Sequence, residues 1–340
     1  MNLQRWIFSR LISSKVFRTT FNLLVQSFVC TLLLVGCKKD DTVTNPPNNT
    51  TGTGVWIQKA NFPGTSRGAA IGFSLGNKVY VGMGNDGSLK KDFWEYAPET
   101  DTWTQKADFG GTVRALAVAF SIGSKGYVGT GSDGSMRSDF WEYDPATNTW
   151  TQKANVPGGV RMNAVGFSIG SKGYVGTGWQ TGNIFVYRND FKEYDPTTDT
   201  WTAKADFPGE GRWGAVGFCI GDKGYIGTGF AIYDDCIDFW EYDPTTDKWT
   251  EKAVFPGPKR SGAFGFSIGS KGYVGTGSYS LTYKDFWEYD PATNVWTQKT
   301  DFPGDIRDGA IGCSIGSKGF VGTGVDSLQN GKKDFWQYSF

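Results

Sequence analysis

Residues 113–154 read VRALAVAFSIG, SKGYVGTG, SDGSMRS, DFWEYDP, ATNTWTQKA. Four short segments rich in β-branched and aromatic residues are separated by Gly, Asn, Asp and Pro, with apolar positions alternating and no helical period. The same sentence is written across nearly the whole chain. Its outer tryptophan recurs at positions 56, 103, 150, 201, 249 and 296, at spacings of 47, 47, 51, 48 and 47 residues. Four strands repeated at a period near 50 predict one blade of a β-propeller per repeat.

The residues of this repeat resemble the kelch family of propellers: a glycine-rich second strand, then Tyr-Asp-Pro-x-Thr-x-x-Trp, as in Tyr143-Asp144-Pro145 through Trp150. The similarity covers residues 55–340. It departs from the family where an adjacent glycine pair is replaced by Gly-Thr-Gly, for instance Gly129-Thr130-Gly131, and where Ala97 replaces the aspartate of the first repeat. The resemblance implies an all-β, six-bladed kelch-type β-propeller with four antiparallel strands per blade. Six copies of the first three strands are present, and the last stops at residues 334–338 without its tryptophan strand. The segment 55–60 carries Trp56 and has no other blade, so it is expected to complete blade six and close the ring. Closure leaves no sheet edge open, and a monomer is expected.

Composition narrows the chemistry. The chain has 340 residues, 48 of them glycine, with 25 Phe, 15 Tyr and 14 Trp, and it contains no histidine. Without imidazole there is no Ser-His-Asp or Cys-His nucleophile and no histidine metal site. No cofactor is expected. The GxSxG pattern at 72–76, 166–170, 265–269 and 312–316 ends an inner strand before a hairpin turn, not before the helix that a nucleophile elbow needs. Cys219, Cys236 and Cys313 lack the spacing of a disulfide framework or zinc site.

The first 36 residues hold Arg5, Arg10, Lys15 and Arg18 without an acid, then an apolar stretch from 21 to 36, which reads as a secretory signal, with a membrane anchor as the alternative. Leu34-Val35-Gly36-Cys37 resembles a bacterial lipobox, which implies lipidation at Cys37. Residues 37–54 form a polar tether beginning Lys38-Lys39-Asp40-Asp41, and the body spans 55–340. The expected location is the bacterial envelope, as an outer-membrane lipoprotein that is periplasmic or surface-displayed. Removing the signal leaves 30 bases against 34 acids, which gives no reason to expect a nucleic-acid partner.

Two features converge on the face that carries the loops before the first strand and between the second and third strands. Each repeat has an arginine just before its inner strand: Arg67, Arg114, Arg161, Arg212, Arg260 and Arg307. These could ring the channel as an anion site, or each could pair with the acid opening the third strand: Asp92, Asp139, Asp190, Asp238, Asp285 and Asp334. The second feature is aromatic. Loops of repeats three to five bring Trp179, Phe185, Tyr187, Phe230, Tyr233, Tyr279 and Tyr283 to one half of the rim beside Trp213 and Glu210, either for stacking on a ligand or for packing among themselves.

The leading expectation is a lipid-anchored binding module for a glycan or protein. The kelch resemblance also implies an enzyme alternative, because the family includes a six-bladed sialic-acid mutarotase and a copper-dependent galactose oxidase. The oxidase site uses histidines this chain lacks. A mutarotase-like role would draw on Arg212 with Glu210, or Arg307 with Asp305. The third alternative is a purely structural surface protein.

Overall fold

The computed structural model describes residues 54–181 and 185–340, which together include every strand of the propeller. The segment expected to be a secretory signal, Cys37 and most of the expected tether lie outside these described residues. Among the described residues every regular element is a strand, and six four-stranded antiparallel sheets follow one another along the chain.

The first blade runs Ile71–Leu75, Lys78–Gly82, Phe93–Ala97 and Thr102–Lys106, from the axis outward. Blades two to five repeat that order. The sixth takes Ile311–Ile315, Lys318–Gly322 and Phe335–Ser339 from one end of the body and Val55–Lys59 from the other, with Trp56 opposite Tyr338. The inner strands neighbour one another in sequence, and that of the sixth blade meets that of the first, so the ring is closed by the N-terminal strand.

Alternation builds the core. The inner strands bury every second side chain, as in Ile71, Phe73 and Leu75, while the outer strands are exposed except for a partly covered tryptophan and final lysine, as in Trp103 and Lys106. Packing between blades depends on glycine. The Phe73 ring lies against Gly126 of the next blade's second strand, where a Cβ would come within 2.4 Å of it. Phe120 with Gly173, Phe167 with Gly224, Phe218 with Gly272 and Phe266 with Gly319 repeat the arrangement.

A second set of bonds ties blade to blade at the outside. The Asp101 carboxylate, in a turn residue with φ of 55°, accepts the Tyr96 hydroxyl at 2.6 Å and the Ala60 amide at 2.8 Å, while the Trp103 indole donates to the Ala60 carbonyl. Ala60 follows the strand of the sixth blade and Asp101 belongs to the first, so each turn clasps its predecessor. Asn148, Asp199, Asp247 and Asn294 do the same.

Candidate functional site

The six arginines sit where their spacing places them, at the entry to each inner strand, and all are 0 or 1 % exposed. Each guanidinium points away from the axis and forks onto the aspartate that opens its own blade's third strand. Arg161 holds both Asp190 oxygens at 2.8 Å, and Arg114, Arg212, Arg260 and Arg307 grip Asp139, Asp238, Asp285 and Asp334 in the same two-pronged way, as Arg67 does Asp92. The first Nη also donates to the carbonyl of residue 83, 130, 177, 228, 276 or 323, the middle residue of Gly-Thr-Gly or, in the first blade, of Gly82-Met83-Gly84. In five blades the guanidinium lies over a phenylalanine ring, at 4.7–5.1 Å. Of the two readings of the arginine set, the geometry is that of the aspartate staple: the charges are spent inside each blade and none faces the channel.

The channel mouth is built from backbone instead. Two residues after each arginine, Ala69, Leu116, Asn163, Gly214, Gly262 and Gly309 take left-handed φ values of 52–67°. Each amide donates to its neighbour's carbonyl around the axis: Ala69 to Gly309, Gly309 to Gly262, Gly262 to Gly214, Gly214 to Asn163, Asn163 to Leu116, and Leu116 back to Ala69, at 2.8–3.3 Å. A closed circuit of six hydrogen bonds encircles the channel and leaves none of these amides free for a ligand. Above it stand the residues that directly follow the arginines, Gly68, Ala115, Met162, Trp213, Ser261 and Asp308. Gly68, Ala115 and Met162, all without charge, occupy one half and Trp213, Ser261 and Asp308 the other. Burial pushes the Asp308 carboxyl up to about 6, against the opposing effect of the Ser278 hydroxyl that donates to it at 2.7 Å.

Neither arginine–acid pair considered for mutarotase-like chemistry forms a dyad. Arg212 Nε donates to the Glu210 main-chain carbonyl and Arg307 Nε to that of Asp305, both at 3.0 Å, while the two carboxylates belong to exposed residues. The arginines cannot swing out without abandoning partly buried aspartates.

The aromatic sector is brought together in part. Arg212–Trp213 pairs with Phe230–Ala231, and Trp179–Gln180 with Val186–Tyr187, so that in blades four and three single bridges present in every blade lengthen into two-residue ribbons. A ladder of rings follows: Tyr187 to Phe230 at 6.3 Å and Phe230 to Trp213 at 5.5 Å, running from the seam of blades three and four to the channel mouth. Tyr233 is 79 % exposed at the loop tip. Trp179 is only 4 % exposed and packs against Phe185, so it supports the sector from beneath. Tyr283 stacks on Arg260 at 4.8 Å, sandwiching the guanidinium against Phe255, and the Tyr279 hydroxyl is engaged by Asp234. Tyr283 thus belongs to the fifth blade's own packing, and Tyr279 ties that blade to the loop of the fourth.

Sequence reasoning passed over a cavity of about 540 Å³ on the same face of the second blade. Its walls include Gly110, Gly111, Met136, Arg137, Trp141 and Gln152. The signal was Gly110-Gly111, where the other five blades have Pro-Gly; a Cβ on either glycine would collide with aromatic rings below 3 Å.

No family model matches this chain, and no curated protein matches it. Among solved structures, one titled "Structure of YjhT" is similar over 82 % of this chain and 95 % of that one, with a TM-score of 0.72 and 18 % sequence identity. At that identity the likeness carries the six-bladed propeller fold and nothing finer.

Proposed function

We propose that this is a kelch-type propeller, tethered to the bacterial envelope through a lipid on Cys37, that binds a saccharide on its variable face. One observation carries the reading. Five turns of the opposite face repeat almost residue for residue, whereas on the variable face the loop bridges that all six blades share lengthen into two-residue ribbons only in blades three and four, which also carry the ladder Tyr187–Phe230–Trp213. Partly exposed rings in a line offer the flat apolar surface on which a sugar face stacks, and aromatic anchors of this kind dominate binding energy where they occur.

A glycan and peptide array probed with the full chain in detergent tests this, repeated for Trp213→Ala and Tyr187→Ala. The expected result is saccharide binding weakened about tenfold or more by each substitution, an order set by losing one well-placed aromatic contact. Binding of peptides alone redirects the reading to a protein partner. Absence of any ligand, or binding indifferent to both substitutions, leaves a structural surface protein.

A further inference from the structure

The third blade departs from the other five at several positions that meet in one place. In blades one, two and six the residue two before the third strand's aspartate is a cation with its own acid: Lys90 with Asp86 at 2.9 Å, Arg137 with Asp133 at 2.5 Å, and Lys332 with Asp326 at 3.1 Å. Blades four and five have Cys236 and Tyr283 there, and no charge needs an answer. Blade three keeps the cation, Arg188, but puts Gln180 where blade two has Asp133, so the guanidinium bonds an amide oxygen. Its Nε is buried with no hydrogen-bond partner among the described residues.

The surroundings change in the same direction. The tryptophan whose indole elsewhere donates to the third-strand aspartate, as Trp141 does to Asp139, is replaced by Lys192, 3.5 Å from Asp190. The phenylalanine beneath the staple is Val156, and the glutamine across from Trp141 is Ala203 across from Lys192. Arg161, Arg188 and Lys192 therefore converge on one carboxylate, Asp190, where the second blade sets Arg114 and Arg137 against Asp139 and Asp133. Burial and the charge of Arg161 together hold the Arg188 guanidinium below the usual arginine range, the mark of a cation short of counter-charge. Glu210 and Asp206 on the next loop are exposed, and no ion pair joins either to Arg188 or Lys192 among the described residues. Bulk has been removed and positive charge added at the spot where the second blade has its cavity.

We propose that this cationic cluster is an oxyanion subsite, in which Arg188 and Lys192 hold the carboxylate or sulfate of an acidic sugar unit. The proposal rests on the reading of the variable face as a saccharide-binding surface. A forked guanidinium matches a planar carboxylate or a sulfate edge, and Tyr187, next in the chain, begins the ring ladder on which the sugar lies.

The test uses the full chain in detergent at low salt, titrated calorimetrically with an oligogalacturonate, its neutral methyl ester and a sulfated oligosaccharide. Two variants restore what other blades have: Gln180→Asp supplies the second blade's acid, and Lys192→Trp the residue of five blades, so both respect the fold. The acidic ligands are expected to bind about tenfold or more tighter than the ester, the scale of one charged hydrogen bond, with each variant erasing that preference and Gln180→Asp leaving affinity for the ester unchanged. The carboxylate and sulfate arms show which oxyanion the subsite prefers. Equal affinity for acid and ester, or a preference that survives Gln180→Asp, overturns the subsite yet leaves Trp213-dependent binding standing. Loss of all saccharide binding overturns the reading of the face, and the subsite's saccharide class with it. Inorganic sulfate gives an independent readout: it is expected to raise the melting temperature of the parent and not of Gln180→Asp, and equal stabilisation of both overturns the subsite.

Discussion

At the residue scale, six buried arginines answer six aspartates, and the consequence is structural. A guanidinium in this setting makes two charged bonds to a carboxylate, one to a backbone carbonyl and a ring contact, so removing it strands a partly buried acid. Arg260→Met is expected to cost about 3 kcal/mol in urea unfolding, with Arg260→Met/Asp285→Asn recovering most of it, since deleting both partners removes the uncompensated charge. A single-variant loss under about 1 kcal/mol would refute the staple. The pairing was legible because arginine and aspartate recur at corresponding positions in every repeat, 25–29 residues apart. The hydrogen-bonded circuit at the channel mouth was not: Ala69, Leu116, Asn163 and three glycines share no side chain, since only their amides and carbonyls take part. Asp308 above it adds a pH dependence. Its folded pKa of about 6 stands above the ordinary 3.8, so the native state holds the proton more tightly; the stability this confers is complete below about 4 and is lost as the pH rises through 6. Asp308→Asn is therefore expected to be more stable than the parent at pH 7, by up to about 2 kcal/mol given the residue's partial exposure, and to lose that advantage below pH 4. Melting curves across that range that stay parallel would contradict it.

At the element scale, strands of neighbouring blades interlock as phenylalanine on glycine, and the sixth-to-first junction reverses the sizes. Cys313 stands where five inner strands have phenylalanine, and Val79 where five second strands have glycine; both are buried in one cluster. The recurrence of each residue was plain in the sequence, but their partnership was not, because the ring and its glycine are 53 residues apart in the first pair and belong to different repeats. Only the joint exception reveals it. Cys313→Phe is expected to overpack the junction by about 1–3 kcal/mol and Val79→Gly to leave it hollow, while the double substitution recreates the contact of the other five junctions. A double-mutant cycle should give a coupling above about 1 kcal/mol, and additive losses would show that the two sites do not touch. The same junction blade also exchanges the Tyr–Glu pair of the others, such as Tyr80 donating to Glu95, for Phe320 and Gln337, giving up hydroxyl and charge together.

At the scale of the whole molecule, a ring made of near-copies exposes its closure to simple counting, and the strand Val55–Lys59 was assigned to the sixth blade from the surplus tryptophan alone. The candidate site resisted such reading for the opposite reason: the loops that distinguish blades three and four occur once, so there is no second copy in the chain against which to weigh each residue, and Trp179 could not be told from a surface ring. Closure by strands from opposite ends of the body has its own cost. In five blades the turn between third and outer strands supplies the Asp or Asn that clasps the preceding blade; at the seam no turn exists, and the Tyr338 hydroxyl is buried without a hydrogen-bond partner among the described residues. A buried, unanswered hydroxyl costs about 1–3 kcal/mol. The deficit can be repaired by circular permutation, joining Ser339 to Val55 through Pro-Ala-Thr-Asn, which reproduces the Asn294-Val295-Trp296 register of the fifth blade, and opening the chain in the exposed loop at Gly87–Ser88. A second permutant carrying Gly in place of the new Asn accepts the same left-handed φ without the side chain, so the pair isolates the hydrogen bonds from the linkage. The Asn form should unfold at higher urea than the Gly form by about 1–2 kcal/mol, and equal midpoints would mean that Tyr338 already finds water at the seam.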